Sequence, residues 1–199
     1  SAPPLRIHQR EALDALGAEW GDSDHPRAWI VLPPGAGKTR VGLEAIASRL
    51  QTQPDARAVV MAPNTAIQAQ WISEARELGL DASDDKSLAS PLTCLTYQSL
   101  AVFDSEAADT ADSAGSKPPV VDRLPPNGVE LFDRLRRQPH LVLVLDECHH
   151  LLETWGHLLA ELLHTIERAH VLALTATPPS SLTGEQRVLV ENLFGSILY

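Results

Sequence analysis

Two groups of residues carry chemistry. The first is Leu32, Pro33, Pro34, Gly35, Ala36, Gly37, Lys38 and Thr39, which join an apolar run to a helix-like stretch. Small residues let a backbone wrap an anion with its N–H groups pointing inward. A helix that starts there adds its positive dipole end. A lysine in such a loop gives a point charge to the β- and γ-phosphates of a nucleotide, and the hydroxyl after it ligates Mg²⁺. Those roles fall to Lys38 and Thr39, beside Pro34, Gly35, Ala36, Gly37 and Arg40 as nucleotide contacts. The strict phosphate-loop formula has Gly where this chain has Leu32.

The second group is Asp146 and Glu147, directly after the apolar run 141–145. A strand that ends in two carboxylates sets them at the carboxyl edge of its sheet, where open α/β folds bind ligands. Asp146 suits Mg²⁺. Glu147 can orient and deprotonate an attacking water, the work of a general base. With Lys38 the pair spells nucleoside triphosphate hydrolysis. A small-molecule kinase would use the loop but has no need of a water-activating Glu147. A nucleotide-gated binding module without motor activity would need neither carboxylate intact.

These residues need elements to hold them. Runs 28–32, 58–62, 92–95, 141–145 and 171–174 are continuous, rich in Val and Leu, and bounded by turn residues. That is the pattern of strands buried on both faces. Stretches 39–50, 65–78 and 151–168 read as helices between them, the last with a Leu-rich stripe at helical spacing. Strand–helix alternation predicts a doubly wound α/β domain with a mainly parallel sheet. Residues 103–128, rich in Asp, Ala, Ser and Pro, break the alternation and are expected to form a mobile acidic surface insertion.

Bulk composition excludes some classes. The net charge of −10 argues against coating nucleic acid through an overall field. The charge is uneven: residues 81–122 hold eight acids and two bases, so a binding channel elsewhere survives this count. No apolar run approaches the ~18 residues of a membrane span. Cys94 and Cys148 stand in no metal or redox spacing, which points to a reducing, cytoplasmic setting.

Asp146, Glu147, Cys148 and His149 resemble the DExH box of superfamily 2 helicases, in style nearest the restriction-motor and DNA-repair branch. Residues 33–39 resemble motif I of that family, which tolerates loss of the outermost Gly. Thr175, Ala176 and Thr177 resemble motif III. Met61, Ala62, Pro63, Asn64 and Thr65, with Gln68, Gln70 and Trp71, resemble motif Ia. Thr96, Tyr97, Gln98, Ser99 and Leu100 resemble motif Ib, and Arg6 to Gln9 the upstream adenine-recognition motif. The resemblance implies a RecA-like ATP-binding domain over 1–199, using ATP and Mg²⁺. Arg6 and Gln9 would read the adenine edge. Lys38, Asp146 and Glu147 would be catalytic, with Thr39 and Asp146 on Mg²⁺. His149, Thr175 and Thr177 would couple the site to movement. Pro63, Asn64, Thr65 and Thr96 would touch nucleic-acid phosphates, DNA ahead of RNA, contacts that need no basic patch. Trp71 could stack on a base, but helix 65–78 favours it as a core aromatic. The family also implies a second RecA-like domain in the same full-length protein. No motifs of that domain stand in these 199 residues, so the chain by itself is expected to hydrolyse ATP barely.

Overall fold

A computed structural model describes residues 2–22, 24–33, 37–99 and 126–199. Six strands form one all-parallel sheet: β1 (Arg27–Val31), β2 (Arg57–Ala62), β3 (Ala82–Ser83), β4 (Leu92–Thr96), β5 (Leu141–Asp146) and β6 (His170–Thr175), in the order β1-β6-β5-β2-β4-β3. Six α-helices are described: α1 (Ile7–Asp22), α2 (Lys38–Thr52), α3 (Thr65–Glu77), α4 (Pro126–Arg137), α5 (Cys148–Thr165) and α6 (Gly184–Phe194). Among the described residues no helix is long and apolar enough to cross a membrane.

Alternation along each strand sorts the sheet into two cores. Val142, Val144, Leu172 and Leu174 pack with Ala12 and Leu16 of α1, Val41 and Ile46 of α2, and Trp71 of α3. Leu143, Leu145, Val171 and Ala173 face the other way, onto Leu131 and Leu135 of α4, Leu158 and Leu162 of α5, and Phe194 of α6. Both faces are covered, so the strands read as unbroken apolar runs. The same alternation decides where the strand ends point. Asp146, following Val144 by two, falls on the α2–α3 face, and Thr175, following Ala173, on the α5 face.

The expected strands are all present, each within a residue or so of its predicted bounds. Helix α5 begins three residues earlier than the Leu stripe suggests. Glu147 takes a left-handed conformation (φ 52°, ψ 50°) and serves as its N-cap. Cys148 and His149 therefore lie in the first turn, not in a loop before it. The last three residues of the insertion expected over 103–128 are helical instead. Pro126, Asn127 and Gly128 form the first turn of α4, where proline's fixed φ suits a helix start; residues 103–125 lie outside the described residues.

Gly42 shows how tightly α2 and α3 are packed. A Cβ there would meet Trp71 Cη2 at 2.5 Å, Trp71 Cζ3 at 3.0 Å and Leu174 Cδ1 at 3.2 Å. Overpacking of this kind costs about 1–3 kcal/mol, more than the ~0.5–1 kcal/mol that alanine gains over glycine inside a helix. Gly42→Ala is expected to lower the urea midpoint. An unchanged or raised midpoint would contradict this fit.

Candidate nucleotide site

The site forms where the carboxyl edge of the sheet meets the start of α2. Gly37 precedes that helix with φ 79° and ψ 42°. This left-handed turn suits glycine. A Cβ at Gly37 would also lie 2.2 Å from Gln9 Nε2. Lys38 is therefore the first residue of α2, with half-buried Thr39 and Arg40 in its first turn. Pro34, Gly35 and Ala36 lie outside the described residues.

Lys38 reaches across the sheet edge to both carboxylates. Its Nζ stands 3.0 Å from Asp146 Oδ1 and forms a second ion pair with Glu147 Oε1. Two positions far apart in sequence thus converge, as a phosphate site demands. Asp146 is 1% exposed, and Glu147 19%. A buried carboxylate must be paired and hydrogen-bonded, and Asp146 is: Trp71 Nε1 donates to its Oδ2 at 2.8 Å. Tyr97 donates its hydroxyl to the Asp146 main-chain carbonyl. Burial pushes the Tyr97 phenol well above its usual range, which keeps it a donor.

The α5 face supplies the next layer. His149 Nδ1 lies 3.4 Å from Glu147 Oε2 and 2.9 Å from Thr175 Oγ1. Thr177 Oγ1 is 3.2 Å from His149 Nε2, and the Thr177 N–H donates to Thr175 Oγ1 at 3.0 Å. One connected polar path runs from Lys38 through Glu147 and His149 to both threonines.

On the opposite flank, Gln9 sits on the same inward stripe of α1 as Ala12 and Leu16 and is 4% exposed. Its Oε1 accepts from the Arg6 N–H at 2.8 Å, and its Nε2 donates to the Gly37 carbonyl at 3.2 Å. A carboxamide holds two donors and two lone pairs, and among the described residues each end of Gln9 has one partner. Arg40 is held within the chain, by Glu44 Oε1 at 2.7 Å and the Pro3 carbonyl at 3.1 Å. A cavity of about 1050 Å³ is lined by Arg6, Gln9, Gly37, Lys38, Thr39, Arg40 and Asp146 on one side and by Ile67, Gln70 and Glu74 of α3 on the other.

Asn64 and Thr65 are exposed at the start of α3, and Pro63 is half-buried. Asn64 Oδ1 caps that helix, accepting from the Ile67 N–H at 2.9 Å. Thr96 is 9% exposed, with its Oγ1 3.0 Å from Ser99 Oγ. Ala62 pairs with Thr96 across β2 and β4, so all four residues stand along one stretch of the carboxyl edge.

Sequence reasoning read Trp71 as a core aromatic, and it is 0% exposed, which removes base stacking. Its bond to Asp146 was missed, as was that of Tyr97. Periodicity marks a position as inward but not what a polar atom on it will meet. Both thiols are neutral: burial, then the Asp146 charge, pushes Cys94 and Cys148 each up to about 12.

The family described as Type III restriction enzyme, res subunit, matches residues 3–180. The chain is also similar to the QP509L protein of African swine fever virus, which bears the name of an ATP-dependent RNA helicase. Identity is 24% over 196 residues, 96% of this chain and 32% of that protein, in the Pretoriuskop tick isolate and in the Badajoz strain alike. The chain thus spans about a third of the length of the curated relatives it matches. Its fold is shared with the UvsW helicase of bacteriophage T4 at a TM-score of 0.59 and 14% identity, over 99% of this chain and 60% of that one. It is shared too with the Hef helicase domain of Pyrococcus furiosus, at 0.58 and 19%, over 96% and 36%. The SWI2/SNF2 ATPase core of Sulfolobus solfataricus, solved with double-stranded DNA, matches at 0.60 and 13%, over 97% and 36%. The family match over residues 3–180 means that the chain belongs to the res-subunit family of type III restriction enzymes, and the helicase and ATPase structures share its RecA-like α/β fold.

Proposed function

We propose that residues 1–199 are a single RecA-like domain forming the ATP-binding half of a motor that couples ATP hydrolysis to movement along DNA. A second RecA-like domain of the same protein would close over the nucleotide. The observation that carries this reading is the meeting of Lys38 with the Asp146–Glu147 couple at the mouth of α2.

Each residue has a part in the reading. Gln9 and Arg6 hold the adenine edge. Gly37 and the N–H groups opening α2, with Pro34, Gly35, Ala36 and Arg40 alongside, take up the phosphates. Lys38 now neutralises both carboxylates. Drawn to the β- and γ-phosphates, it releases Glu147 to accept a proton from the attacking water. His149 then steadies Glu147 and passes its position to Thr175 and Thr177. Pro63, Asn64, Thr65 and Thr96 meet the nucleic-acid backbone.

The donor set suits Mg²⁺. Asp146 offers a buried carboxylate whose Oδ1 is engaged, among the described residues, only by Lys38, and Thr39 lines the same cavity. Among the described residues no group of three or more His, Cys, Asp or Glu is gathered to hold a metal. Asp146 and Thr39 would therefore share the ion with phosphate oxygens, the manner usual for this cation. Bound there, Mg²⁺ would neutralise charge developing on the phosphates.

DNA is preferred because the matching family is that of a restriction subunit and one similar fold was solved on duplex DNA. ATP turnover by the full-length protein, measured with duplex DNA, single-stranded DNA and RNA, tests the reading. Stimulation by DNA is expected, weakening steeply with salt because the contacts are to phosphates. Stimulation by RNA alone would move the track to RNA. Turnover indifferent to every nucleic acid would defeat the motor.

A further inference from the structure

We infer that Trp71 and Tyr97 are positioning residues that hold Asp146 ready for Mg²⁺ and tie that readiness to the nucleic-acid-facing edge. The inference rests on the function proposed above. It assigns coupling to a path separate from that through His149, Thr175 and Thr177.

Three observations carry it. First, both aromatics end on one residue. Trp71 Nε1 donates to Asp146 Oδ2 at 2.8 Å, and the Tyr97 hydroxyl donates to the Asp146 carbonyl. Side chain and main chain of the same carboxylate are thus fixed separately, and the two aromatics come from the two different cores. Second, each follows a segment proposed to touch nucleic acid. Trp71 lies on α3, two turns beyond its capping residue Asn64, and Tyr97 directly follows Thr96. Third, neither aromatic has room to drift. Trp71 is 0% exposed and pressed on Gly42 of α2, and Tyr97 is 5% exposed. A shift of α3 or of the end of β4 must therefore move Asp146 or break a buried bond.

The chemistry fits a supporting role. An indole N–H is a donor only and brings no charge. It orients Oδ2 while leaving the carboxylate negative, and Oδ1 stays with Lys38. Partners that orient a metal ligand in this way set metal affinity, and losing one costs about 10–100-fold. Coupling between two binding sites is reciprocal, so the same bonds would let Mg²⁺ and nucleotide alter the hold on nucleic acid. A purely structural Trp71 would do neither: Trp71→Phe would then lower stability and leave Mg²⁺ dependence alone.

The test uses the full-length protein and a fluorescent, non-hydrolysable ATP analogue. Mg²⁺ is titrated at fixed analogue for wild type, Trp71→Phe and Tyr97→Phe, with folding checked by circular dichroism and Tm. For Trp71→Phe the half-saturating Mg²⁺ is expected to rise about 10–100-fold, with analogue binding in the absence of Mg²⁺ unchanged. Tyr97→Phe, which loses one oxygen, is expected to shift in the same direction and carries the test if Trp71→Phe does not fold. In either variant the change in oligonucleotide affinity that Mg²⁺ and analogue produce in wild type should shrink. Folded variants with wild-type Mg²⁺ dependence would overturn the inference. A wild type whose analogue binding ignores Mg²⁺ would instead bring down the proposed function beneath it.

Discussion

Glu147→Gln in the full-length protein is expected to bind ATP as wild type does and to turn it over about 10²–10⁴-fold more slowly, the usual worth of a positioned general base. The substitution is close to isosteric and removes the negative charge, and with it the capacity to take a proton. The Lys38–Asp146 pair does not depend on it, and neither does the Trp71 bond to Asp146. What changes is the middle of the polar path. Glu147 meets Lys38 through one oxygen and His149 through the other, and an amide can neither pair with the ammonium nor accept the water's proton. Turnover is checked by steady-state phosphate release, and binding by titration with a labelled nucleotide. Full turnover would remove Glu147 from the chemistry. Surviving phosphoryl transfer to an acceptor other than water would point to a kinase instead.

The second large effect concerns what one RecA-like domain can do. The 199-residue chain, isolated, is expected to hydrolyse ATP about 10³–10⁵-fold more slowly than the full-length protein, the range that an arginine finger contributes. The described site contains a lysine, two carboxylates and a cavity lying open beside α3, and the arginines near it have other partners. Arg40 is paired with Glu44 and bonded to the Pro3 carbonyl. From this side, charge that develops on the γ-phosphate would meet Lys38, the N–H groups opening α2 and the Mg²⁺ proposed on Asp146 and Thr39, and among the described residues no arginine finger joins them. Side-by-side assays at saturating ATP and DNA check this. An isolated chain that matches the full-length rate, and responds to DNA, would show that the site is complete without a second domain.

Much of this was legible in the residues alone, for a physical reason. The strands are buried on both faces, so each stands out as an unbroken apolar run, and alternation with helices implies parallel pairing. Lys38, Asp146 and Glu147 could be joined because each follows such a run, and parallel strands bring their carboxyl ends to one edge. Other features left a signal that was passed over. Helix α4 carries Leu131, Phe132 and Leu135 inward, but its Pro, Asn and Gly start resembles the segment before it. Helix α6 is announced by Thr183 and Gln186, which form a capping box. Still other features left none. Strand β3 is two residues long and has no pattern of its own. The left-handed backbone of Glu147 is set by where β5 must stop and α5 begin, and its residue type gives no hint of it. The Trp71 and Tyr97 bonds to Asp146 depend on which face of the sheet α3 covers and on where β4 lies within it, a matter of strand order rather than of local sequence.

The two cysteines bear on how the motion could be watched. Cys94 and Cys148 are both buried, and each is held up to about 12, so the nucleophilic thiolate is scarce at neutral pH. A maleimide dye offered to this domain would find no native anchor. One cysteine introduced on the exposed first turn of α3 would then carry the only fluorophore in this domain, placed beside the residues proposed to meet the nucleic-acid backbone.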